Sequence, residues 1–292
     1  MRDPSHKYAS DSRSSEELVE AHRQELKSDE DSCEAIGILH FRGGKREFNL
    51  GKQLTESDNP DDRSIGADIL AQLGWGDKTF HDESVDILLR LLDDPDPYVI
   101  YCAAVGLGHR NDARAIEALA KLTEHDDSQV RFGVTFGLSC HDDERAISSL
   151  IQLSHDSDHD TRNWAMFGLG SQTDMDSPEI RAALALGLKD ADSEIRGEAL
   201  VGLARRKDPR VYNAILKEWK LDDISILSLE AAEELADPNL VPLLEELEKS
   251  LDFTDDEYFH KRLKDAISSC KYSKEVGTEP KNSADAKGRT AD

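Results

Sequence analysis

Val130-Arg131-Phe132-Gly133-Val134-Thr135-Phe136-Gly137-Leu138 decides the fold, because the chain writes it more than once. The pattern returns as Thr161-Arg162-Asn163-Trp164-Ala165-Met166-Phe167-Gly168-Leu169, and again as Ile195-Arg196-Gly197-Glu198-Ala199-Leu200-Val201-Gly202-Leu203. Extending it in both directions gives anchor leucines Leu39, Leu73, Leu107, Leu138, Leu169, Leu203 and Leu235, spaced by 34, 34, 31, 31, 34 and 32 residues. A period of this size marks an array of small helical units, none of which buries its own apolar face; stacked neighbours bury it.

A second helix lies between successive copies. Asp112-Ala113-Arg114-Ala115-Ile116 recurs as Asp143-Glu144-Arg145-Ala146-Ile147, and Ser177-Pro178-Glu179 places an N-cap before a first-turn proline. Each unit is therefore helix, Asp-rich turn, helix. Gly74, Gly108 and Gly170 fall where helices should stop. A capping box at Ser14 and Glu17 opens the first helix, and one at Thr254 and Glu257 opens the last. Along that last helix Glu257, His260, Lys261, Lys264 and Asp265 form the polar side that a terminal unit needs. Residues 1–14 and 273–292 are polar and aperiodic and read as disordered, leaving 15–272 as the repeat array.

The 292 residues carry 36 Lys and Arg against 61 Asp and Glu, a net charge of −25. That balance argues against a phosphate backbone as partner and steers towards cationic ones, so the partner expected is a protein or peptide of basic character and not a nucleic acid. Cys33, Cys102, Cys140 and Cys270 form no CxxC pair, which removes zinc ribbons and dithiol redox motifs; Cys102 and Cys140 read as packed thiols. The first fifteen residues hold no apolar signal core, and no run of about 18 apolar residues occurs, so no membrane association is expected and the cytoplasm is the expected compartment.

The motif of Asp, short gap, Val/Ile/Thr-Arg, small residues and Gly-Leu resembles the HEAT-repeat proteins of the short phycobilisome-lyase-like type, over roughly residues 31–250 and most clearly from Asp94 to Arg210. The resemblance implies an all-α fold, a right-handed α-α superhelix of about six to seven helical hairpins. It also implies that the Val-Arg helix lines the concave face.

On a helical wheel, Val99, Val130, Thr161 and Ile195 head a core stripe with the residues four and eight later. The residues two and six later point nearly the opposite way: Tyr101 and Val105, Phe132 and Phe136, Asn163 and Phe167, Gly197 and Val201. Tyr98 and Trp164 lie beside them. Tyr98, Tyr101, Phe132, Phe136, Trp164 and Phe167 are thus the candidate partner-binding residues, since exposed aromatics within a polar rim mark interaction surfaces. Packing of the same rings between repeats is the alternative, and the pattern leaves both open. Arg131, Arg162 and Arg196 recur at one motif position after Asp-rich turns and read as an internal Asp–Arg ladder in preference to a ligand-carboxylate site.

Few chemistries survive. His155 and His159 are the only metal candidates, weak ones, in a short turn whose Asp and Ser residues serve as caps; no metal or other cofactor is assigned. HEAT-type iron-dependent hydroxylases carry His-Glu pairs, and none of the ten histidines here precedes a glutamate. HEAT-like DNA glycosylases bind a polyanion, which the charge opposes. Bilin lyase activity follows from resemblance alone, with no catalytic group singled out. The sequence therefore points to a non-enzymatic protein-interaction scaffold. The alternative is an enzyme or enzyme subunit acting on another protein, bilin-lyase-like or metal-dependent hydroxylase-like.

Overall fold

The computed structural model describes residues 8–28, 33–220, 224–250 and 257–276. It divides into two compact units, Met1–Gly187 and Leu188–Asp292. All secondary structure among the described residues is helical.

In the first unit the helices are α1 (Ser15–Glu25), α2 (Glu34–Arg42), α3 (Lys45–Thr55), α4 (Pro60–Ala71), α5 (His81–Leu91), α6 (Pro97–Arg110), α7 (Ala115–Ala120), α8 (Ser128–Leu138), α9 (Glu144–Leu153), α10 (His159–Phe167) and α11 (Pro178–Gly187). They form two layers. The Val-Arg helices α4, α6, α8 and α10 pack side by side, with α2 against α4, while α5, α7, α9 and α11 line up along the other layer. Asp starts most helices of the Val-Arg layer for a local reason. Asp96 and Asp127 each accept from the backbone N–H groups two and three residues on, and Asp158 accepts from Thr161, satisfying donors that a helix start leaves free. The expected Ser14–Glu17 capping box is present, and Ser177 accepts from the Ile180 N–H before Pro178. Val99, Ala103, Leu107, Val130, Val134, Leu138, Ala165 and Leu169, the wheel's core stripe, are fully buried.

The caps also correct the repeat register. Leu107, Leu138 and Leu169 each stand eleven residues after a capping Asp. In α4 the cap is Asn59, so the equivalent leucine is Leu70, not Leu73. Left-handed residues four positions on agree: Gly43 after Leu39, Gly74 after Leu70 and Asn111 after Leu107. Leu70 and Leu73 are both fully buried, so apolar spacing could not separate them. Gly74 does mark a chain reversal. Gly108 does not: it lies inside α6, where a Cβ would stand 2.8 Å from the Phe136 ring of the next repeat. Gly170 lies in a π-helical segment, Gly168–Gln172, that extends α10.

Residues 8–14 lie against this unit, with the Tyr8 ring edge-on to Trp75 at 5.4 Å and tilted on Phe41 at 6.1 Å.

The second unit holds α12 (Ser193–Arg205), α13 (Val211–Glu218), α14 (Ile226–Leu235), α15 (Val241–Ser250) and α16 (Glu257–Val276). Here α14 packs against both α12 and α16. The left-handed Ala236 follows Ala232 by four residues, which makes buried Ala232, rather than half-buried Leu235, the counterpart of the anchor leucines. Gly197, on the wheel face that carries rings in the first unit, is filled here by Leu227, 2.6 Å from where a Cβ would stand. Helix α16 runs to Val276, beyond the boundary expected at 272; Thr254 lies outside the described residues.

Candidate functional site

All six sequence-predicted aromatic residues belong to the first unit, and the structure brings them into one chain of touching rings across three neighbouring helices. Tyr98 stacks on Tyr101 within α6 (centroids 5.7 Å), and Tyr101 on Phe132 of α8 (6.3 Å). Phe132 meets Trp164 of α10 edge-on (6.0 Å). Trp164 also stacks on Phe136 (5.5 Å) and tilts against Phe167 (5.3 Å). His109 closes on Phe136 at 5.0 Å.

The row is drawn from the second, fifth, sixth and ninth positions after the caps, which share one side of the helical wheel opposite the core stripe. The Gly at position six of α8, Gly133, lets Tyr101 lie directly on its backbone. Tyr98 is 39% exposed and the other five are half-buried, so each ring keeps an edge or face towards solvent while its neighbours hold the rest. Such ring pairs add about 0.5–1.5 kcal/mol each beyond burial, which helps to hold the row in place. The Trp164 indole N–H is buried and finds no acceptor among the described residues.

A carboxylate lies at the α4 end of the row. Asp68 occupies the ninth position after Asn59, where α8 and α10 carry Phe136 and Phe167. His22 of α1 approaches it at 3.4 Å, and the His40 ring bonds its backbone carbonyl at 2.7 Å. Burial pushes the Cys102 thiol well up, and the Asp68 charge adds to the shift, which favours the neutral thiol. Burial likewise raises Tyr98 and Tyr101, with Cys102 and Asp68 contributing in the same direction. Sequence reasoning missed Asp68, because the misplaced register of α4 set it three positions away from its true equivalents.

The arginines form the internal ladder. Arg131 donates to both oxygens of Asp156 (2.7 and 2.8 Å) and Arg196 to both of Glu218 (3.0 and 2.8 Å). Arg63, which the sequence reading left out, does the same to Asp94 (2.7 and 2.8 Å). Each also donates to turn carbonyls, as Arg162 does to those of Asp156 and Ser157. Burial alone would raise the Asp94 and Asp156 carboxyls. The guanidinium hydrogen bonds outweigh it and hold both below the usual carboxylate range. In α6 the position is Ile100, so the ladder skips that repeat.

His155 and His159 do not come together as metal ligands. His155 pairs with the Ser154 hydroxyl (2.8 Å) and His159 with Asp160 (2.9 Å), and both are exposed. Among the described residues one group, His81, Asp82 and Asp112, has ligand spacing. The Arg114 guanidinium already bridges Asp82 and Asp112 at 2.9 Å each, filling that place with a fixed cation. No described helix is long and apolar enough to cross a membrane.

The sequence matches HEAT repeats over residues 49–139 and 147–236, more than half the chain. The chain belongs to the HEAT-repeat family. A segment of 70 residues is 39% identical to Protein YibA of Escherichia coli K12, covering 24% of this chain and about a quarter of that relative's length. The solved YibA structure superposes with a TM-score of 0.69 at 26% identity, over 93% of this chain and 97% of that one. An engineered protein superposes at TM-score 0.53 and 20% identity, over 87% and 77% of the two chains. The complex of CpcE and CpcF of phycocyanin lyase from Nostoc sp. PCC7120 gives 0.46 at 18% identity, over 89% and 96%. The HEAT match confirms the all-α helical-hairpin solenoid expected from the motif.

Proposed function

We propose that this HEAT-repeat protein is an interaction scaffold that docks a protein or peptide partner on the ring row Tyr98, Tyr101, Phe132, Phe136, Trp164 and Phe167. The observation that carries the reading is the continuity of the row: six rings from three successive repeats touch in sequence while each remains partly open to solvent. A solvated helix face is ordinarily polar, and aromatic anchors dominate the energetics of protein interfaces. The second unit lacks the row, since Gly197 and Val201 are buried there.

The test is a pull-down from native extract read by mass spectrometry. Wild type is compared with a Phe132→Ser, Phe136→Ser, Phe167→Ser variant whose helicity is first checked by circular dichroism. A partner retained by wild type and lost by the folded variant supports the row as the docking face; equal recovery moves the interaction elsewhere. Because these three rings are half-buried, Tyr98→Ser, at the exposed end of the row, serves as the milder second variant and is expected to weaken capture as well.

A further inference from the structure

We propose that Asp68, Tyr98 and Tyr101 form a cation-receiving subsite at the head of the ring row, and that its occupant is an arginine side chain on an extended segment of the docked partner. The proposal rests on the row being the docking face and names the chemistry of what docks there.

Position is the first argument. Asp68 stands where the equivalent repeats place Phe136 and Phe167, so the row begins with a carboxylate and continues with rings. The Tyr98–Tyr101 stack lies on the adjacent helix α6, which packs along α4. Asp68 keeps 27% of its side chain open to solvent.

Charge is the second argument. Helix α4 has one cationic side chain, Arg63, committed to Asp94; α6 has one arginine, Arg110, buried and donating to backbone carbonyls. Neither helix therefore supplies a cation to Asp68, whose one ring partner, His22, lies at 3.4 Å. The turns that open the four row helices (57–63, 93–100, 124–131 and 156–162) carry twelve Asp and Glu against three Arg. Arg63 and Arg131 are held by Asp94 and Asp156, and all three arginines by turn carbonyls. Arg23 also pairs with Asp62, yet the turn carboxylates still outnumber their cations, and complementary charge both attracts and orients a partner.

Chemistry selects arginine over lysine. A planar guanidinium lies flat on an aromatic face and offers parallel N–H groups to a carboxylate, and it gives up less hydration than an ammonium in doing so.

The probe is a fluorescein-labelled peptide of eight residues alternating Arg and Gly, read by fluorescence anisotropy at 0.15 M salt against the same peptide with citrulline, which keeps the shape and loses the charge. The arginine peptide is expected to bind about tenfold or more tightly, as a charge-assisted contact on a ring face implies. Asp68→Asn and Tyr98→Leu are each expected to weaken it several-fold. Glu83→Gln, which removes one exposed carboxylate from α5 in the other layer, is expected to leave it within about twofold, since a screened distant charge contributes little. Asp68→Glu keeps the charge and guards against an Asp68→Asn variant that misfolds. Equal binding of the two peptides, or equal effects of Asp68→Asn and Glu83→Gln, overturns the subsite. If the subsite fails while the triple phenylalanine variant still loses its captured partner, the docking face survives without this chemistry. The reverse result removes the docking face and leaves an isolated cation site.

Discussion

Arg110 is buried to 1% exposure, yet no carboxylate meets it among the described residues. Its guanidinium donates instead to the carbonyls of Leu70, Leu73 and Thr79. The carbonyls of Leu70 and Leu73 lie at the C-terminal end of α4, where a helix leaves acceptors unpaired and carries partial negative charge, and that of Thr79 lies in the connection to α5. The side chain is thus a C-terminal cap borrowed from the next repeat, and Lys78 in turn donates to the Arg110 carbonyl at 2.7 Å. Burial lowers the guanidinium to about 10, so it stays charged at neutral pH. Arg110→Met preserves bulk and strands three acceptors, and the expected loss is about 3 kcal/mol or more, read as a lower urea midpoint at unchanged slope. Arg110→Lys should recover part of the loss, because one ammonium reaches fewer carbonyls. A midpoint for Arg110→Met within about 0.5 kcal/mol of wild type would show that α4 closes without its neighbour.

At the scale of the helix, the caps set the register and the apolar stripes only follow it. Asp127 accepts from Gln129 and Val130, and removing that oxygen by Asp127→Ala should cost about 1 kcal/mol by chemical denaturation, while Asp127→Ser should cost a fraction of that. Equal costs would mean that the acidic turn acts by charge and not by capping. The same residues explain what was legible in the chain. The helix pairs, the core stripe and the six rings followed from a period of 31 to 34 residues and a 100° helical step, because those positions differ sharply in polarity from their neighbours. Two anchors were misplaced. Leu70 and Leu73 are equally apolar and equally buried, so only the Asn59 cap and the left-handed Gly74 separate them. That slip hid both Arg63 as a rung of the ladder and Asp68 as the head of the row. Gly108 misled for a related reason: a glycine needed for the close approach of Phe136 is written with the same letter as one that ends a helix.

For the whole molecule, two opposing responses to acid meet. The charge of −25 at pH 7 repels itself, and lowering the pH towards the sequence pI of about 4.7 relieves that repulsion. Local terms act the other way. Burial depresses His40 to about 4, while its ring bonds the Asp68 carbonyl as a neutral imidazole. The unfolded chain takes up this proton near pH 6.5 and the folded chain does not until about 4, so stability falls as pH drops through that window, by at most roughly 3 kcal/mol for this one group. Burial lowers His109 and His141 too, with the same sign. Asp94 and Asp156 act later: their folded pKa values are depressed, so their contribution is intact above the unfolded value near 3.9 and is lost as pH falls through the folded values. Salt separates the two responses, because it screens the diffuse repulsion and leaves the buried histidine almost untouched. In 1 M salt, stability between pH 6.5 and 4 should therefore decline, and His40→Gln, which keeps an N–H for the Asp68 carbonyl but cannot titrate, should flatten much of that decline. A His40→Gln profile parallel to wild type would place the acid sensitivity in the other buried histidines and not at the head of the ring row.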